Sequence, residues 1–149
     1  MIQNNELVLS SGHIASFIPY IKEWRRLPLV KTINDAILMY QLEEYFTVSP
    51  KGFSKFLAPN SNITYEENMS WIDVLAMSAD EFRTAFGHIG IAHCSKKTFD
   101  STDDKFKGKY YCSYHDRITH QTFYSRNNSL ISSHLSDLIS RQKQKTLAI

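Results

Sequence analysis

The stretch from Ser70 to Asn127 limits what this chain can become more than any other. Ser70 precedes Trp71, Val74 and Leu75, which share one helical face, so a short helix is expected there. Met77-Ser78 reads as a turn. Ser78-Ala79-Asp80-Glu81 then has the form of a capping box, in which the serine hydroxyl takes the third amide and Glu81 returns to the cap amide. Phe82, Ala85, Phe86 and Ile89 follow at helical spacing, and Gly87 and Gly90 predict an end near Ile89. Residues 92–108 are a polar connector of mixed charge. Lys109 to Arg117 alternates and is rich in Tyr, as a strand should be, and Gln121 to Arg126 is its partner across Ile118-Thr119-His120. The predicted order is helix, turn, helix, hairpin.

At 149 residues the chain suits a single domain, 1–149, with a core over about 14–128. Aromatic residues make up 13% of it, enough to fill one core, and five Gly and four Pro argue against an all-β domain dense in tight turns. The net charge of +2 says little, but its distribution says more. Residues 1–68 carry 6 basic and 7 acidic side chains, whereas 80–126 carry 8 and 6, and 127–149 carry 3 and 1. The excess therefore lies in the hairpin and tail, where it fits either an anionic partner or a solvated surface. Two cysteines outside any CxxC pair, no signal-like N-terminus and no long apolar run predict a soluble, cytoplasmic protein that does not enter a membrane.

Three further elements are expected. Ile14, Phe17, Ile18, Ile21 and Trp24 form an amphipathic piece interrupted by Pro19. Thr32 to Phe46 is a broad-faced helix that Thr32 or Asn34 can cap, with Ile33, Ala36, Ile37, Tyr40, Leu38 and Leu42 on its apolar side. Residues 47–69 are irregular, with one helical turn at Phe53, Phe56 and Leu57. The last, over about 129–143, is an amphipathic helix on Leu130, Ile131, Leu135, Leu138 and Ile139, a face that could pair two copies as a homodimer.

Thr32–Phe46 followed by Ser70–Phe86 resembles the winged helix-turn-helix proteins of phages, plasmids and integrative elements, among them the N-terminal domains of replication initiators and replisome organisers. The run Lys105-Phe106-Lys107-Gly108-Lys109-Tyr110-Tyr111, with Tyr114 to Arg117 and Thr122 to Asn127, is similar to their wing hairpin. The similarity covers roughly residues 28–128. It implies a mainly α fold with a small antiparallel hairpin, and a non-enzymatic protein that binds double-stranded DNA in replication control or transcriptional regulation. Related helices begin with basic residues after the capping serine, whereas this one begins with Asp80 and Glu81. Those acids suit a helix N-terminus, but in the usual docking they would face phosphate. An alternative follows: the same scaffold serving as an adaptor or inhibitor that binds a host protein, such as a defence factor.

On the DNA expectation, Arg83, Thr84 and His88 point outward from the second helix, beside Asp80 and Gly87. Arg83 could grip a guanine edge and Thr84 could touch a thymine methyl. Lys105, Lys107, Lys109, Arg117 and Arg126 lie on or beside the hairpin, where they would neutralise phosphates. Lysines there could equally protect a sheet edge from aggregation. His93-Cys94 and Cys112-x-x-His115 supply zinc-type ligands, but Cys112 and His115 would point to opposite faces of a strand, so no metal is expected. No phosphate loop, G-x-S-x-G or H-E-x-x-H is present, so neither catalysis nor a cofactor is expected. The Tyr-rich strand could stack bases, although its rings more naturally pack in the domain.

Overall fold

The computed structural model describes residues 22–59, 61 and 69–147, with side chains as far as Arg141. The expected Ile14–Ile21 stripe lies outside these residues. Helix α1, Ile33–Val48, runs through the centre. Thr32 caps it, and Asp35 closes the box by accepting the Thr32 amide at 3.0 Å. Ala36, Leu38, Met39, Leu42 and Phe46 are buried, so most of the circumference is covered. Ile33, expected on the apolar side, is 53% exposed.

Strand β1, Phe53–Lys55, follows. The helical turn expected at Phe53–Leu57 is therefore corrected to a strand, since pairing with a distant segment supplies hydrogen bonds that three residues cannot make among themselves. Helix α2, Trp71–Leu75, and helix α3, Ala79–Ile89, stand where the spacing put them, each capped by the preceding serine. Val74 is an exception, 37% exposed rather than inward.

Residues 90–108, expected as a helix end and a polar connector, hold two further elements. Strand β2, Gly90–His93, leaves α3 directly, and helix α4, Lys96–Ser101, crosses back towards strand β3, Tyr111–His115. Because the chain crosses over between them, β2 and β3 are parallel, with Gly90 opposite Tyr111 and His93 opposite Tyr114. Strand β4, Thr122–Arg126, pairs antiparallel with β3 on one side and β1 on the other. Helix α5, Asn128–Leu147, closes the described chain.

The sheet order is β1-β4-β3-β2. A four-stranded mixed sheet with a parallel pair is not a mainly α winged helix-turn-helix with a small hairpin, and the expected fold class is overturned. The physical reason is local. Gly90, Ala92 and His93 have little strand propensity of their own, and β1 is three residues long. Both strands are held by their neighbours and not by their own pattern.

One sheet face carries Tyr111, Ser113 and His115 beside Arg126, Tyr124 and Thr122, and it packs on the helices. Tyr124 meets Trp71 and Phe86 edge-on, with centroids 5.6 Å from each, and Trp71 Nε1 donates to the Tyr124 hydroxyl at 3.0 Å. Trp24, Leu27, Leu42, Trp71, Phe82, Phe86, Tyr111, Ile131 and Leu138 belong to one apolar cluster, with Tyr40 packed on it. On the opposite face Phe99 of α4 lies 4.9 Å from Tyr114, which in turn stacks on Phe123 at 5.3 Å. Among the described residues no helix is long and apolar enough to cross a membrane.

Candidate nucleic-acid interface

Helix α3 presents the candidate surface because its two sides differ so sharply. Phe82, Ala85, Phe86 and Ile89 are buried, whereas Asp80, Arg83, Thr84 and Gly87 are exposed. The acidic first turn is largely accounted for locally. Glu81 Oε1 accepts the Ser78 amide at 2.9 Å, and Asp80 Oδ1 meets Arg83 Nη1 at 3.2 Å on the open surface. An exposed pair of that kind is worth at most about 1 kcal/mol, so Arg83 can exchange Asp80 for an external anion at small cost.

His88 is not part of the outward set. Its Nδ1 lies 2.8 Å from Oδ2 of Asp35, which is fully buried and also accepts the amides of Lys31 and Thr32. The ring thus ties the end of α3 to the start of α1. Lys109 Nζ donates to the His88 carbonyl at 3.1 Å and caps the same helix end. Lys105 Nζ donates to Thr102 O at 2.8 Å and sits 5.0 Å from the centre of the Phe99 ring.

Arg126 is drawn inward altogether. Its Nη2 and Nε lie 2.7 and 2.9 Å from the Glu43 carboxylate, which also accepts the Tyr111 hydroxyl at 2.7 Å. Burial foremost, and then the adjacent Glu43 carboxylate, push the Tyr111 phenol well above its ordinary pKa, so it remains a proton donor. Asn128 Oδ1 accepts Arg126 Nη1 at 2.8 Å. A bidentate, half-enclosed guanidinium is a structural tie.

Two hairpin-side cations remain outward. Lys107 is exposed in a left-handed backbone position, φ +48°, beside Gly108 at +79°. Arg117 is exposed at the β3–β4 turn, which Asp116 organises by accepting the Ile118 amide at 2.8 Å. Of the eight residues named from the sequence, Arg83, Thr84, Lys107 and Arg117 are exposed, Arg83 in its surface pair with Asp80. His88, Lys105, Lys109 and Arg126 are engaged within the fold.

The zinc-type residues do not converge. His93 Nε2 donates to Lys105 O at 2.7 Å, Cys94 is exposed, and Cys112 is buried, with burial pushing its thiol up to about 11. Among the described residues no cluster of three or more His, Cys, Asp or Glu could hold a metal ion.

A groove of about 310 Å³ joins α3 to the sheet. Phe82, Arg83, Phe86 and Gly87 line it from the helix, Ala92, Ser113, Thr122 and Tyr124 from the strands, and Leu57 from one end. Its sheet side could not be read from the sequence, because β2 was not recognisable and the registry of β3 on β4 fixes which residues share the face. Comparison with known protein families, with curated proteins and with solved structures finds no match for this chain.

Proposed function

We propose that this protein binds double-stranded DNA without chemistry, through the exposed face of α3 and the turn end of the β3–β4 hairpin. The observation that carries this reading is the shared groove. Helix and hairpin line one concavity, and among the described residues Arg83 is the only charged one in its lining. A single ligand can therefore touch both, and Arg83 can meet an anion there by leaving Asp80. An α-helix is about 10–12 Å across with its side chains and fits the width of a major groove. Arg117 and Lys107 then supply sequence-independent phosphate contacts. Replication control or transcriptional regulation is the setting this activity suits.

Fluorescence anisotropy with a labelled mixed-sequence duplex tests the reading. The parent should bind with a steep salt dependence. Arg83→Ala should weaken binding about tenfold or more, and Arg117→Ala should flatten the salt slope by about one. A parent that leaves the duplex free at low salt overturns it.

A host protein partner is the second reading. It is favoured by Ile118, 90% exposed at the hairpin turn beside Arg117. Ile118→Ser would abolish a protein contact and leave duplex affinity unchanged.

A further inference from the structure

A second cavity, of about 410 Å³, lies between the C-terminal end of α1 and the edge strand β1. Tyr45, Val48, Phe53 and Met69 give it apolar walls, and it shares no lining residue with the groove beside α3. Among the described residues Lys55 is the only charged one in its lining. The Lys55 Nζ stands 4.9 Å from the centre of the Tyr45 ring and 5.2 Å from that of Trp71, and it donates to the Met69 carbonyl. A methionine or leucine would fill the space between two rings without drawing an ammonium out of water, so burial alone does not ask for lysine. Burial pulls the Lys55 pKa below its ordinary value, against an upward pull from the charge of Asp73. A larger share of Lys55 than of an ordinary lysine is therefore the neutral, nucleophilic amine.

We infer that Lys55 is the nucleophile of a site for small aromatic aldehydes, which it holds as an imine. The Nζ lone pair adds to the carbonyl carbon, and one N–H proton passes to the carbonyl oxygen. The hydroxyl so formed leaves as water with the second amine proton, and the C=N bond closes. No electrons are gained or lost, so no redox partner is required. The surroundings favour this product, because an uncharged imine escapes the desolvation that an ammonium suffers between two rings. Ser49 and Ser54, also in the lining, bring hydroxyls that can donate to the carbonyl oxygen. The Tyr45 and Phe53 rings, 5.3 Å apart and tilted at 59°, offer the walls that an aromatic ring packs on.

Benzaldehyde with sodium cyanoborohydride near neutral pH tests this on the full chain. The hydride traps the imine as a secondary amine, and peptide mass spectrometry locates it. Lys55 should carry the first adduct, about tenfold ahead of any other lysine. Its labelling rate should saturate with benzaldehyde concentration, because the ring binds before it reacts. Lys55→Arg should keep the ring contacts, fold as the parent does and lose that adduct. Competition among the lysines of the parent decides the matter whether or not that variant folds. Glyceraldehyde has no ring and separates the cavity from bare amine reactivity: it should label Lys55 no faster than an exposed lysine. Equal rates for the two aldehydes at Lys55 overturn the aromatic class. Benzaldehyde adducts spread evenly over the lysines, or a Lys55 that reacts last, overturn the inference and leave Lys55 a structural link from β1 to Met69.

Discussion

The two ends of the β3–β4 pair sit on the same sheet face and are finished in opposite ways. At one end Tyr111 and Arg126 face each other across the strands and share the Glu43 carboxylate, so three elements are locked by four short contacts. At the other end Ser113 and Thr122 face α3 over open space. The glycines repeat the contrast. Gly52 has φ +118°, and a Cβ there would clash with the Phe123 ring, whereas Gly87 is unconstrained. Polar and small residues at the closed end are explained by the fold itself. Those at the open end line the groove beside α3.

Several substitutions would break or sharpen that comparison. The largest effect belongs to the core beneath both ends: Phe86→Ala should cost about 3–5 kcal/mol, read as a fall in denaturation midpoint at unchanged slope. Arg126→Ala leaves the Glu43 carboxylate buried without its cation and should cost about 3 kcal/mol. A loss below about 1 kcal/mol would mean that the closed end is solvated. Gly52→Ala should cost about 2–3 kcal/mol through the left-handed backbone and the crowded Phe123 ring, against a small gain for Gly87→Ala. Equal effects at the two glycines would erase the contrast.

The smallest effect is in pH. The Cys112 thiol ionises near 9.0 in the unfolded chain and near 11 in the fold, because burial disfavours the thiolate. Tyr110 is likewise raised from 10.0 to about 12 by burial. Above pH 9 the unfolded chain releases protons that the folded one keeps, so stability is full below that point and falls as pH rises towards 11–12. Thermal melts across pH 7–11 check the slope, and Cys112→Ala should delay the onset by about one pH unit.

Capping boxes and apolar periodicity made α1, α2 and α3 legible, and alternation gave the β3–β4 hairpin within two residues. The candidate site was half legible. Arg83, Thr84, Lys107 and Arg117 stand outward as expected, but a charged side chain in a sequence does not say whom it faces. Arg126 meets Glu43 across 83 positions of sequence and His88 meets Asp35 across 53, and no local pattern encodes pairs so distant.

What the sequence determined by itself is whatever depends on contacts within a turn or two: helix starts, helix stops and the alternation of one hairpin. Only the tertiary structure decided that β1 and β2 are strands, that the sheet is mixed and that half of the candidate cations are spoken for. The physical reason is that a short strand has no internal hydrogen bonds. Its existence and the partners of its side chains are set by whichever segments the closed core brings beside it.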